Sequence, residues 1–396
     1  MINMQKYNWV DEEISALKAE GRYVPIRTIE SAQGAWVKIN GKQVLNMCSN
    51  NYLGFANHPE TKKAAIEAIE EYGVGAGAVR SIAGTDEIHI KLEEKIASFK
   101  HSEAALVYQG GLLANLGTVP ALVGKDDIIF SEELNHASII DGTRLSPAKR
   151  IVYKHLSVDD LEKQAKENRS SGKKALVITD GVFSMDGDIA PLPEIVDIAE
   201  KYDIMTYVDD AHGEGVLGDH GRGIVNYFHL EDKVDIEMGT FSKALGSMGG
   251  FVAGSAEMID LLKQKARPFL FSSALNPGDA AAVLKAIEIL EKDDSLVKKL
   301  WENADLLKKS LADLGYNTGH SKTPITPVII GDEKKTVELS TKLYEEKNVF
   351  ASPIVYPTVP KGTARIRLMP SAVHTHEDIM TAVNAFGELG KKLHII

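Results

Sequence analysis

A large domain on a mostly parallel, helix-covered sheet, followed by a small α+β C-terminal domain, is the α/β architecture this sequence predicts. Three observations carry it. Short apolar runs recur at Ala104–Tyr108, Asp127–Phe130, Ile151–Tyr153, Ala175–Thr179 and Met205–Val208, and strands with little polar alternation are buried on both faces. Helical periodicity fills most of the gaps, as in Leu156–Asn168 and Pro193–Tyr202, so successive strands are joined by crossovers and lie parallel. After about residue 276 the texture changes to longer helical stretches mixed with isolated extended runs.

Taken in order, Trp9–Glu20 reads as a helix. Ala35–Ile39 and Lys42–Met47 read as strands joined by Asn40-Gly41, the dipeptide that best supports a tight hairpin. Helical stretches at Pro59–Tyr72 and Asp86–Lys100 precede the first buried strand. In the tail, Asp279–Lys292, Ser295–Leu314 and Lys335–Glu346 are helical, whereas Pro327–Ile330 and Arg365–Leu368 are extended. The expected divisions are an N-terminal segment at 1–55, the large domain at 56–280 and the small domain at 281–396, sizes in the ordinary range for such units.

Composition narrows the function. At 44% hydrophobic over 396 residues the chain can bury a large core, which excludes disorder. Forty-five basic against 56 acidic residues give −11, which argues against nucleic acid and anionic membranes as partners. The single cysteine, Cys48, excludes a disulfide framework and a Cys-x-x-Cys metal site, and fits a reducing compartment. Met1–Glu20 shows no basic-then-apolar signal pattern, so a cytoplasmic protein is expected. Ala104–Gly124 is uncharged over a membrane-spanning length. Its Gln109, Gly110, Gly111, Asn115, Gly117 and Pro120 instead read as strand, glycine turn and buried helix.

The chemistry gathers after the strands. Asp209 and His212 follow one apolar run and Lys243 follows another, amid the small residues of Gly239–Gly246. Singly they read as a capping aspartate, a surface histidine and a solvated loop lysine, and further ligands for a metal are not evident nearby. Together they suit a pyridine-aldehyde cofactor: the aspartate keeps a ring nitrogen protonated and the lysine holds the aldehyde. Such a cofactor needs a phosphate cradle, and Tyr108-Gln109-Gly110-Gly111-Leu112 follows a strand and opens a helix, presenting free backbone amides. The lysine pattern of a nucleotide-triphosphate loop is missing there. Thr240, Ser272 and Ser273 offer hydroxyls, His136 can stack on a flat ring, and Ser184 follows the strand ending near Asp180.

From about Ser49 to the C-terminus the chain resembles the α-oxoamine synthases, pyridoxal-phosphate (PLP) enzymes of fold type I. The motifs are Ser49-Asn50-Asn51-Tyr52-Leu53-Gly54, Asn135–Gly142, Asp209-Asp210-Ala211-His212-Gly213, Gly239–Gly246 and Arg365-Ile366-Arg367. The resemblance implies a fold-type-I PLP-dependent transferase, with PLP as a Schiff base on Lys243, Asp209 at the ring nitrogen, His212 and Ser184 at the ring hydroxyl, and His136 against the ring. It implies phosphate contacts from Gly111, Leu112 and Thr240, joined by Ser273 and Ala274 of a second subunit in a homodimer. Arg367 and Asn50 would receive the amino-acid carboxylate, and Lys243 would move the α-proton. Three features are similar to the glycine C-acetyltransferase branch: Asn51, Val79–Thr85, and Tyr356–Gly362 leading into Arg365. They imply condensation of glycine with acetyl-CoA to 2-amino-3-ketobutyrate, run in reverse in threonine breakdown. The alternative is the 8-amino-7-oxononanoate synthase branch, which joins alanine to a pimeloyl thioester with decarboxylation. A PLP aldolase or aminotransferase on the same fold would need no CoA.

Overall fold

The computed structural model describes residues 4–19, 23 and 26–396. The first helix spans Asn8–Ala19; Glu20, the last residue expected in it, lies outside the described residues. The hairpin forms as β1 (Trp36–Ile39) and β2 (Lys42–Asn46). Asn40 and Gly41 both adopt positive φ, 51° and 75°, the backbone that lets a two-residue turn follow the strand twist.

Seven strands build the central sheet: β3 (Ala104–Tyr108), β4 (Ile128–Glu132), β5 (Lys149–Tyr153), β6 (Ala175–Asp180), β7 (Met205–Asp209), β8 (Ile236–Thr240) and β9 (Gly250–Gly254). Their order is β3-β9-β8-β7-β6-β4-β5. All run parallel except β9, which is antiparallel to both β3 and β8. Alternate side chains feed opposite cores, as strand geometry demands. Leu106, Ile129, Leu176, Tyr207 and Val252 pack on one face with the helix Gly111–Leu122. Ala105, Phe130, Val177, Val208 and Phe251 pack on the other, with Pro59–Tyr72, Glu87–Lys100 and Pro277–Lys292 among its covering helices. The uncharged stretch Ala104–Gly124 is thus strand, turn and buried helix. No helix among the described residues is long and apolar enough to cross a membrane.

The remaining strands are β10 (Thr326–Gly331), β11 (Val349–Phe350), β12 (Pro353–Ile354) and β13 (Ala364–Leu368). They form the sheets β10-β13-β12 and β1-β2-β11, so the N-terminal hairpin is completed by a strand of the tail. Leu45 and Met47 accordingly share a core with Leu307, Leu343, Ile366 and Phe386. Among the elements not expected from the sequence are β9, a five-residue strand bounded by glycines, the short strands β11 and β12, and the helices Ala256–Lys265, Arg267–Phe271 and His376–Lys392. The last of these helices is announced by Thr375 and Asp378, whose side chains cap each other's backbone N–H groups at 2.8 and 3.1 Å.

Parallel strands end on a common edge, and ligands of such sheets bind beyond it. The segments after β3, β4, β6, β7 and β8 all emerge there, which places their polar residues around one volume.

Candidate active site

Residues from those five segments line a cavity of about 160 Å³: Gly111 and Leu112, His136 and Ser138, Asp180 and Ser184, Asp209 and His212, Thr240 and Lys243. Every cofactor-binding candidate from the sequence is here except Ser273 and Ala274. Those two sit behind the glycine turn: Gln109 Nε2 donates to the Ser273 carbonyl, and Ala274 N–H donates to the Ala78 carbonyl at 3.1 Å.

At the floor, Asp209 is buried and its Oδ2 accepts from Asn115 Nδ2 at 2.8 Å, while Oδ1 accepts from Ala211 N–H at 3.1 Å. Asn115 is oriented in turn by Tyr207, whose hydroxyl donates to Asn115 Oδ1 at 2.7 Å. Among the described residues no cation pairs with Asp209 within ion-pair distance, so its carboxylate can still accept from a protonated ring nitrogen. His136 caps the helix Ala137–Leu145; its Nδ1 lies 2.7 Å from Ser138 Oγ, and its backbone N–H donates to Asp180 Oδ2 at 2.6 Å. Burial lowers the His136 pKa, against the pull of Asp209. Burial raises Asp180 well above the usual carboxylate range, and the Asp209 charge adds to it. His212 Nδ1 is 2.8 Å from the hydroxyl of buried Tyr52, and burial together with the Lys243 and Arg367 charges holds that imidazole neutral.

Lys243 supplies the amine. Lys243 Nζ makes no hydrogen bond or ion pair among the described residues, and burial depresses it to about 8 despite Asp209 and Asp180. A lysine neutral near that pH is a nucleophile. The sign of its effect on stability follows: between about 8 and 10.5 the unfolded chain holds a proton that the folded chain has released, so stability rises with pH. The urea-unfolding free energy of the cofactor-free protein is therefore expected to gain on that of Lys243→Ala across that window.

The opposite wall suits a phosphate. Gly111 opens its helix with no side-chain cap, leaving first-turn N–H groups without intrahelical partners. A Cβ on Gly111 would lie 3.1 Å from Thr240 Oγ1 and 3.0 Å from Met238 Cε, so glycine keeps this approach open. The donor set as a whole fits PLP: free helix-end amides and a hydroxyl for a phosphate, a buried carboxylate for a ring nitrogen, an imidazole for a ring face, and a depressed lysine for an aldehyde.

Arg367 and Asn50 adjoin the cavity through Ser184. Arg367 Nη1 donates to the Ser184 carbonyl at 2.8 Å and Nη2 to Asn50 Oδ1 at 3.2 Å. Neighbouring Arg365 is spent on Asp186. Arg367 has no carboxylate partner among the described residues, which leaves a planar cation for a substrate carboxylate. The carboxylates of Asp210, Glu214 and Glu237 converge behind the site, but the buried Lys100 Nζ stands 2.8 Å from Glu214 and 2.5 Å from Glu237 and supplies the cation itself. The sequence reading missed Tyr52, Asn115, Ser138 and Tyr207. Asn115 was the findable one, a lone amide in an otherwise apolar helix.

Over residues 42–386 the chain matches the family described as aminotransferase class I and II. It is 58% identical over 393 residues to the 8-amino-7-oxononanoate synthase of Thermosipho melanesiensis, covering 99% of this chain and 100% of that one. It is likewise 58% identical over 391 residues to the 8-amino-7-oxononanoate synthase of Petrotoga mobilis, covering 98% and 99%. Its fold matches the S. paucimobilis serine palmitoyltransferase with bound PLP–myriocin at a TM-score of 0.93, with 30% identity and 100% of both chains covered. These relatives overturn the expectation of a glycine C-acetyltransferase, and with it that of glycine, acetyl-CoA and threonine breakdown. The structure supplies the reason the reading failed: the features behind it lie off the cavity. Asn51 Oδ1 accepts from Ala56 N–H at 3.2 Å in a local turn. Arg80, within Val79–Thr85, is held by a paired 2.9 Å contact to Glu93, and Tyr356 is an exposed side chain.

Proposed function

The chain belongs to the class I and II aminotransferase family, as a PLP-dependent, α-oxoamine-synthase-like member, and on that premise we propose that it is an 8-amino-7-oxononanoate synthase. In this reading alanine and a pimeloyl thioester give 8-amino-7-oxononanoate, carbon dioxide and the free thiol. The observation that carries it is the full-length likeness to relatives of that name.

When bound, PLP withdraws electrons from the α-carbon of an attached amino acid. The protein's own groups do the rest. Asp209, oriented by Asn115 and Tyr207, would keep the ring nitrogen protonated through a charge-assisted hydrogen bond. His136 would cover the ring, His212 and Ser184 would stand at the ring hydroxyl, and Gly111, Leu112 and Thr240 would hold the phosphate. Arg367, with Asn50, takes the alanine carboxylate. Lys243 Nζ removes the Cα proton as general base, a role suited to an amine depressed to about 8. Alanine Cα then bonds to the acyl carbon as the C–S bond breaks, the carboxylate departs as carbon dioxide, and Lys243 returns a proton to Cα.

A homodimer belongs to the proposal. Ser273 and Ala274 do not line their own cavity, whereas nearby Phe271 and Ile82 expose 69% and 82% of their surface. A second copy covering that apolar face would bring its Ser273 and Ala274 to the phosphate.

Thiol release by the PLP-loaded protein tests the reading, with alanine and glycine crossed against pimeloyl-CoA and acetyl-CoA. The expected result is release chiefly from alanine plus pimeloyl-CoA. Preference for any other pair, or no release, contradicts it.

A further inference from the structure

We propose that His155 is a positioning residue for amino-acid binding: it clamps the loop 181–190, which carries Ser184, to the strand end that leads into His136. The inference rests on the reading that Arg367 receives the substrate carboxylate.

The clamp starts at Glu132, the buried last residue of β4. Its carboxylate accepts from Leu134 N–H at 2.5 Å, from Leu156 N–H at 3.2 Å and from His155 Nδ1 at 2.7 Å. It therefore ties down the turn that runs through Asn135 to His136. The far side of the same imidazole reaches the loop after β6. His155 Nε2 is 3.6 Å from Asp188 Oδ2, and the ring meets Phe183 edge-on with centroids 4.6 Å apart. Glu133 accepts from the His155 backbone N–H at 3.2 Å. Burial opposes charge on this ring, yet Asp188 and Glu132 overcome it and raise His155 to about 9. At neutral pH it is a cation shared by carboxylates on two segments.

The loop it grips is a closed turn. Gly187 N–H donates to the Phe183 carbonyl at 2.8 Å and Phe183 N–H to the Asp188 carbonyl at 3.0 Å, with Ser184 inside the turn. Residues of the tail hold the other side: Arg365 on Asp186, Thr323 Oγ1 on the Gly187 carbonyl at 3.1 Å, and Arg367 on the Ser184 carbonyl at 2.8 Å. His155 is the cation that meets Asp188 from the sheet side. If it lets go, the Ser184 carbonyl drifts and the Arg367 fork loses the acceptor that aims it. No cavity-lining group is removed, and Lys243, Asp209 and the glycine turn lie outside the loop, so PLP is retained while the amino acid binds more weakly. Sub-ångström misplacement of a positioning group is enough for such a loss.

The experiment is a spectral titration of the PLP-loaded protein with alanine, which needs no acyl donor. His155→Asn keeps an amide near the Nδ1 position, facing Glu132, and loses the reach to Asp188. Asp188→Asn removes the same contact from a partly exposed loop position. Each is expected to raise the alanine Kd about five- to tenfold, with PLP content unchanged. The double variant should be no weaker than either single one, because both break one contact. Unchanged alanine affinity in the two single variants, effects that simply add, or concurrent loss of PLP would overturn the assignment. If the unaltered protein shows no response to alanine, the functional reading falls and takes this inference with it.

Discussion

Lys243→Ala is expected to abolish both turnover and the visible absorbance of covalently held PLP. Two roles meet on one atom. Nζ is the amine to which an aldehyde can bond, and it is the base placed to move the Cα proton. It stands without a hydrogen bond or ion pair among the described residues, depressed by burial to about 8, so little in the protein competes for it. Loss of the proton-transfer role alone is worth about 10²–10⁴-fold in kcat. Loss of covalent attachment is read separately, as a protein that still binds PLP through Asp209 and the glycine turn but shows the spectrum of free aldehyde. A variant that keeps the lysine-bound spectrum would remove Lys243 from the site.

Arg367→Ala is expected to raise the alanine KM by roughly 30-fold or more, the scale of truncating one member of a desolvated charge pair, with PLP still bound and its absorbance intact. The contrast with Arg365 makes this specific. The two side chains are two residues apart on β13, but Arg365 is buried against Asp186 whereas Arg367, among the described residues, donates hydrogen bonds only to the neutral oxygens of Ser184 and Asn50. Removing Arg365 should cost stability first, and removing Arg367 should cost substrate affinity first. Steady-state kinetics beside urea unfolding separate the two, and unchanged alanine kinetics in Arg367→Ala would exclude it as the carboxylate site.

Much of this is legible in the sequence alone because one rule links sequence to space. In a parallel sheet the residues just after each buried strand converge on one edge, so Gly111, His136, Ser184, Asp209 and Lys243 could be grouped from their positions after apolar runs. The rule is silent about side chains that come from within elements. Asn115 points from a helix and Tyr207 from inside a strand, and only three-dimensional packing shows them orienting Asp209. It is equally silent about chain segments that meet across the molecule, which is why β2 pairing with β11 was not foreseen. The misjudged branch has the same origin. Asn51, Arg80 and Tyr356 are distinctive in sequence, yet their contacts serve turns, an ion pair and the surface, and none of them lines the cavity.

The most direct test of the central claim follows the alanine carboxyl carbon. With alanine labelled at that carbon and pimeloyl-CoA supplied, the account predicts that the label leaves as carbon dioxide in step with thiol release, and that mass spectrometry finds unlabelled 8-amino-7-oxononanoate. Label retained in a condensation product, or thiol release without carbon dioxide, would contradict it.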